Sequence, residues 1–379
     1  MDESFLHRRL EKRDAKGLRR ELPERGNDLI DFLSNDYLGL SRNRELLNRV
    51  EYSWSVLQEK MLGSTGSRLL SGNSSWNEQL ESILSEVFQG QSALLFNSGY
   101  NANVGVLSSI PERGDIIFYD ELSHACIKDG IRLSLAEGYS FRHNDLNHLV
   151  EKLERLKGGG KIFIVTESLF SMDGDFAPIK ELVDLADRFG AYLIVDEAHS
   201  TGVYGRNGAG WLVKNGCEEV FARIYTFGKA IGSHGACVVG SRALTDELIN
   251  FSRPFIYTTA LPPHTLLTLI ETFEYLKEHQ KRLSSTLMDR IAYFRRKVVQ
   301  EGLNTNFDST SAIQPIAIPG NHDLMSLSSE LRSEGFDIMG VRAPTVKEGE
   351  ERLRVCLHTY NSDEEIDALV GRLRISYSS

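Results

Sequence analysis

Short apolar runs closed by polar residues recur through the first two thirds of the chain, and the clearest unit runs from Lys161 to Asp196. Ile162-Phe-Ile-Val165 is an unbroken apolar run that suits a strand covered on both faces. Pro178 stands where the first position of a helix tolerates proline. Ile179, Leu182, Val183 and Ala186 then fall at i, i+3, i+4 and i+7, Gly190 stops the helix, and Tyr192-Leu-Ile-Val195 supplies the next strand. Strand, helix and strand in that order predict a parallel crossover, and a parallel sheet brings the carboxyl ends of its strands to one edge, where ligands bind.

The rhythm repeats upstream and downstream. Leu80, Ile83, Leu84 and Val87 mark a helix ending near Gly90, and Ala93 to Phe96, Asp115 to Tyr119 and Ile224 to Thr226 read as further strands. Polar residues follow them: Asn97-Ser98-Gly99, Asp120, Glu167-Ser168, Asp196-Glu-Ala-His199 and Phe227-Gly-Lys229. Beyond Leu261-Pro262-Pro263 the pattern changes to long amphipathic helices, then strands Ile313 to Ile318 and Leu353 to His358, then a helix capped near Ser362. The pattern predicts an α/β fold with an N-terminal segment (1–50), a large domain around a mainly parallel sheet (51–260) and a smaller α+β C-terminal domain (261–379).

Composition narrows the function. With 379 residues, 41% hydrophobic and 25% charged, the chain is long enough for two lobes. Its formal charge of -10 is spread along the sequence without the basic stripe that a phosphate backbone requires, so nucleic acid is not an expected partner. Cys126, Cys217, Cys237 and Cys356 form no C-x-x-C pair, which predicts reduced thiols and no metal site. The charged N-terminus has no apolar core and no stretch is long enough to span a bilayer, so a cytoplasmic location is expected.

Candidate chemistry gathers at the strand ends. Asp196 either projects a carboxylate from the sheet edge into a low-dielectric pocket or caps the following helix. Lys229, in a glycine-bearing loop after a strand, is either a lysine made nucleophilic by desolvation or an ordinary solvated one. Ser98-Gly99-Tyr100 opens a helix whose backbone N–H groups can receive a phosphate. The ring of His124 can stack on a flat heteroaromatic group or cap a helix.

Taken in order, the segments Asn35-Asp-Tyr-Leu-Gly-Leu40, Gly63-Ser-Thr-Gly-Ser-Arg68, Asn97-Ser-Gly-Tyr100, Ser123-His124-Ala125, Thr166-Glu-Ser-Leu-Phe-Ser171, Asp196-Glu-Ala-His-Ser-Thr-Gly202, Thr226-Phe-Gly-Lys229, Thr258-Thr-Ala260 and Arg342-Ala-Pro-Thr345 resemble the fold-type I pyridoxal 5'-phosphate enzymes. Within that class they are similar to the α-oxoamine synthase family, over roughly residues 30 to 375. The resemblance implies an aspartate aminotransferase-like large domain and decarboxylative condensation of an amino acid with an acyl thioester, carried by coenzyme A or an acyl carrier protein. It implies that Lys229 is the Schiff-base lysine and Asp196 the partner of the pyridinium nitrogen. His124 would stack on the ring, His199 would bond the phenolic oxygen, and Ser171 would stand beside the cofactor. Ser98, Gly99, Tyr100 and Thr226 would hold the phosphate, joined by Thr259 from the other subunit of a homodimer. Asn35 and Glu167 fall on the substrate side, with Arg354, ahead of Arg342, as the cation for the amino-acid carboxylate. Among the family's substrate pairs, the run Phe255 to Pro263 looks most like the alanine and pimeloyl pair; glycine with acetyl or succinyl, and serine with palmitoyl, are the alternatives. Asn77 stands where the family often has histidine. A non-catalytic subunit would be expected to lack Lys229, and a regulator to carry an added DNA-binding domain.

Overall fold

The computed structural model describes residues 1–378 apart from 16, 17, 21, 23–27, 157, 158, 304–308 and 344. Pro344 of the Arg342 to Thr345 segment therefore lies outside the described residues. Seven strands form the main sheet: β1 (Ser92–Phe96), β2 (Ile116–Asp120), β3 (Glu137–Phe141), β4 (Ile162–Glu167), β5 (Tyr192–Asp196), β6 (Ala222–Thr226) and β7 (Ala236–Gly240). Their spatial order is β1-β7-β6-β5-β4-β2-β3, and every neighbouring pair is parallel except those that β7 makes with β1 and β6. The large domain thus has the aspartate aminotransferase-type core, and a smaller α+β unit follows it.

The central strands are apolar because helices cover both faces of the sheet. Ile164, Val165, Ile194 and Val195 have no exposed surface. On one side, α1 (Ser75–Val87) packs with β1, and on the sheet also lie α2 (Gly99–Ser109), α3 (Ala125–Leu133) and α4 (Ile179–Phe189). Gly190 ends α4 in the left-handed region (φ 60°), a conformation that glycine adopts without penalty. The long amphipathic stretch after Pro262 is one continuous helix, α5 (Pro263–Gln300). Its inward residues, among them Leu266, Phe273, Leu287 and Phe294, share a hydrophobic cluster with the C-terminal sheet. That sheet is antiparallel, in the order β9 (Met339–Val341), β10 (Arg352–Cys356), β8 (Ile313–Ala317).

The segment around residues 30–37 crosses to this C-terminal unit. Ile30 and Asp31 pair in parallel with Phe336 and Asp337, the Cys356 N–H donates to the Phe32 carbonyl (2.9 Å), and the Thr359 N–H donates to the Tyr37 carbonyl (3.0 Å). This strap sets Asn35 and Tyr37 beside β10.

Candidate active site

The carboxyl ends of β1, β2, β4, β5 and β6 supply the site. At β1, Ser98 caps α2 by accepting from the Asn101 N–H (3.2 Å), so the positive end of the helix dipole opens at Gly99. A Cβ on Gly99 would meet Thr226 Oγ1 at 3.3 Å, which brings the loops after β1 and β6 together in a small cradle. Tyr100 turns outward, and its hydroxyl donates to Asp129 Oδ2 (2.8 Å). Asn97 Nδ2 donates to the Thr259 carbonyl (2.7 Å) and leaves the Thr259 side chain exposed.

Asp196 and Glu167 end neighbouring strands in register with one another. One Asp196 oxygen accepts from Asn103 Nδ2 (2.7 Å) and the other from the Ala198 N–H (2.9 Å), so the carboxylate is held from both sides while only 6% exposed. Glu167 Oε1 accepts from the His124 N–H (2.6 Å). Burial, and then the Asp196 carboxylate, push the Glu167 carboxyl well above the usual range. Lys229 lies in the same field. Burial lowers its ammonium pKa against the opposing pull of Asp196 and Glu167. Its Nζ makes no hydrogen bond or ion pair among the described residues, so the cluster leaves that amine available for reaction.

His124 caps α3 and exposes its ring to a cavity of about 1130 Å³ that Ser123, Ser171 and Arg352 also line. Its Nδ1 lies 2.9 Å from Cys126 Sγ and accepts from the Cys126 N–H (3.2 Å). His199 is buried, with Nδ1 2.8 Å from the Tyr37 hydroxyl. Burial, followed by the charges of Lys229 and Arg354, holds His199 well below its ordinary pKa, so the imidazole is neutral. Arg354 donates from Nε to the Ser171 carbonyl (2.7 Å) and from Nη2 to Asn35 Oδ1 (3.0 Å). Arg342 stands apart from this group; its Nη2 donates to the Arg19 carbonyl (3.2 Å).

Tyr37, Asn103 and Glu197, which the sequence reading did not single out, and Cys126, which it read only as a reduced thiol, hold the others in position. Asn103 lies four residues after Gly99, one turn along α2 and on the same face, a spacing that points it back at the sheet edge. Cys126 follows His124 by two positions. Glu197 is fully buried and accepts from Ser168 Oγ (2.8 Å) and the Trp211 (2.9 Å) and Leu212 (2.7 Å) N–H groups, which pins the loop carrying Asp196 and His199. Asn77 closes the capping box of α1 with Ser74.

A second group couples the two units of the chain. His143 lies between Asp120 (Nδ1 to Oδ1, 3.0 Å) and Asp175 (Nε2 to Oδ2, 2.9 Å), while Asp173 pairs with Arg352 of β10. His143, Asp173 and Asp175 lie close enough to share a metal ion, but both imidazole nitrogens and Asp173 already have partners within the protein. A smaller cavity of about 470 Å³ at the opposite edge of the main sheet, lined by Tyr192, Phe221 and Arg223, contains none of these residues.

An available amine, an anchored carboxylate, an open imidazole face and a helix N-terminus converge at one sheet edge, and this set fits pyridoxal 5'-phosphate. Asn103 Oδ1 and Ser123 Oγ, buried polar atoms without a partner among the described residues, accompany these groups. Comparison with known proteins agrees. Residues 27–373 match the family "Aminotransferase class I and II". The chain is 40% identical to 8-amino-7-oxononanoate synthase of Emericella nidulans over 389 residues, 96% of this chain and 93% of that protein. It is 39% identical to the enzyme of that name from Chlorobaculum parvum over 392 residues, 98% of each. Among solved structures, a serine palmitoyltransferase of Sphingomonas wittichii superimposes with a TM-score of 0.89 at 27% identity, covering 99% of this chain and 97% of that one. The 8-amino-7-oxononanoate synthase of Francisella tularensis gives 0.77 at 28%, covering 93% and 99%.

The chain belongs to the aminotransferase class I and II family and, within it, to the α-oxoamine synthases, the fold-type I enzymes that use pyridoxal 5'-phosphate. It is a pyridoxal phosphate-dependent acyltransferase, closely related to 8-amino-7-oxononanoate synthase.

Proposed function

We propose that this enzyme condenses L-alanine with a pimeloyl thioester, releasing carbon dioxide and the thiol, to form 8-amino-7-oxononanoate for biotin synthesis. The observation that carries this reading is the 37–40% identity, over nearly the whole chain, to relatives bearing that enzyme's name. The structural likeness to serine palmitoyltransferase favours a second reading, in which serine and a long acyl chain are the substrates.

When bound, the cofactor supplies an electron sink for the carbanion at the amino acid's Cα. Lys229 holds the cofactor between turnovers and, once displaced, its Nζ takes the Cα proton, a role suited to a lysine whose pKa burial has lowered. Asp196, held by Asn103, would keep the ring nitrogen protonated. His124 would lie against one face of the ring and His199 would donate to the phenolic oxygen. The Ser98 to Tyr100 backbone and Thr226 would hold the phosphate. Arg354 and Asn35 receive the substrate carboxylate beside Ser171, with Glu167 bracing the His124 backbone.

We also infer a cytoplasmic homodimer in which Thr259 reaches the partner's phosphate site. Four unpaired cysteines support a reducing compartment, and among the described residues no helix is long and apolar enough to cross a membrane. Exposed Met61, Leu62, Leu69, Leu70 and Tyr257 supply the apolar surface that a partner copy would cover.

Borohydride reduction of the yellow protein followed by peptide mapping tests the site: the label belongs on Lys229, and its recovery on another lysine would overturn the assignment. Turnover with alanine, glycine and serine against pimeloyl and palmitoyl thioesters tests the substrates. Preference for serine with palmitoyl would select the second reading.

A further inference from the structure

Buried Tyr37, His199 and Arg354 form one hydrogen-bonded group with half-buried Asn35, in which few protons are available for sharing. The Tyr37 ring is 1% exposed and its backbone is tied at both ends, from its own N–H to the Asn35 carbonyl (2.8 Å) and from the Thr359 N–H to its carbonyl (3.0 Å). The hydroxyl cannot move far. It lies 2.8 Å from His199 Nδ1, 3.0 Å from Asn35 Oδ1 and 3.5 Å from Arg354 Nη2. Arg354 Nη2 already donates to Asn35 Oδ1 at 3.0 Å.

Because His199 is neutral, one of its nitrogens carries a hydrogen and the other does not. Lys229, Arg354 and His124 are the basic groups that face it. A guanidinium on the Tyr37 side turns the tyrosine oxygen's lone pairs toward Arg354 and its hydrogen away, toward the shorter contact at Nδ1. Asn35 Oδ1 is the competing acceptor for the hydroxyl hydrogen at 3.0 Å, but it already takes a hydrogen from Arg354 Nη2, whereas Nδ1 is nearer at 2.8 Å and has no other donor among the described residues.

We propose that Tyr37 is a positioning residue that donates its hydroxyl hydrogen to His199 Nδ1 and thereby holds His199 as the Nε2–H tautomer. His199 Nε2 has no protein partner among the described residues, so this tautomer presents a donor to the cofactor pocket. On the reading given under Proposed function, that donor meets the anionic phenolic oxygen of the ring. The strap segment, through one hydroxyl, then sets the hydrogen-bonding character of a residue on the main sheet. Arg354, the group assigned to the substrate carboxylate, touches the same hydroxyl.

Selective ¹⁵N-histidine labelling with NMR detection of the ring nitrogens tests this in both cofactor-free and cofactor-loaded protein, with the His199 signals identified by their loss in His199→Gln. The expected wild-type pattern is an unprotonated Nδ1 and a protonated Nε2, and in Tyr37→Phe a mixture of tautomers. In loaded Tyr37→Phe, the pH midpoint of the cofactor's visible absorbance should rise by on the order of one unit, as expected when a donor to an anion is weakened. A protonated Nδ1 in the wild type would overturn the proposal, as would a Tyr37→Phe variant with both readouts unchanged. Should that variant fail to fold, as read by circular dichroism, the wild-type spectrum alone decides. The cofactor-free spectrum is independent of where borohydride places its label, so failure of the lysine assignment and failure of this inference are separately visible.

Discussion

The main-sheet edge and the strap beside β10 reach the same site by different means. On the edge, Ser98, His124, Glu167, Asp196 and Lys229 each stand at or just past the end of a strand, so the hydrogen bonds of the sheet set their spacing. On the strap side, Asn35 meets Arg354 across a sequence separation of 319 residues, and Tyr37 meets His199 across 162. The sheet edge is assembled by local topology, whereas the Asn35 and Arg354 pair proposed to bind substrate comes together only once the N-terminal segment has docked on the C-terminal unit. Loosening that docking should impair substrate recognition before it impairs cofactor binding.

The largest expected effect lies on the edge. Asp196→Asn should retain cofactor, because Lys229 and the phosphate cradle are untouched, yet lose at least about a hundredfold in kcat, the usual scale for removing a preorganised charged group. Single-turnover absorbance measures it, and near-normal turnover would assign protonation of the ring nitrogen to another group. Next in size is a test across subunits: Thr259→Ala and Lys229→Ala, mixed and allowed to exchange, should recover activity. If Thr259 acts in trans, one site of the heterodimer combines an intact Lys229 with an intact Thr259. Absence of recovery despite demonstrated exchange would return Thr259 to its own chain.

The strap side should respond differently. Arg354→Lys retains the charge but not the planar fork that holds the Ser171 carbonyl and Asn35 Oδ1 together. The KM for the amino acid should rise about thirtyfold with the borohydride-labelled fraction unchanged. A parallel loss of cofactor would show that the two sides are not separable.

This contrast explains what could be read in advance. The β4-α4-β5 crossover was legible because its apolar runs and helical period are local, and the strand-end motifs followed from it. The edge strand β3, Glu-Gly-Tyr-Ser-Phe, has only its last residue buried, so it left no apolar run to detect. β7 follows the Lys229 loop so closely that it can only return antiparallel, yet its apolar run Ala236-Cys-Val-Val239 is enclosed by Gly235 and Gly240, which read as turn residues. Asn35 and Arg354 were named through family resemblance, since nothing in either local sequence predicts a contact across the whole fold. Tyr37 was passed over because, in Asn35 to Leu40, an aromatic residue reads as core. It is indeed buried, and only its hydroxyl carries the second role.

The smallest expected effect tests the coupling between the two units. Burial lowers the His143 pKa, but hydrogen bonds to Asp120 and Asp175 outweigh it and raise the group to about 9. Asp175 belongs to the same loop as Ser171 and Asp173, which Arg354 and Arg352 grip from β10, so the imidazolium anchors the main-sheet side of that connection. A folded-state pKa above the unfolded value of roughly 6.5 means that the stabilisation is fully present below that value and is lost as pH rises through about 9. His143→Gln should therefore cost about 2 kcal/mol near pH 6, in keeping with hydrogen bonds to charged groups, and much less near pH 10. Chemical denaturation of wild type and variant across that range measures the difference. A gap that stays constant from pH 6 to pH 10 would mean that His143 acts through its shape and hydrogen bonds rather than its charge, and that the loop between the two units is held chiefly from the β10 side.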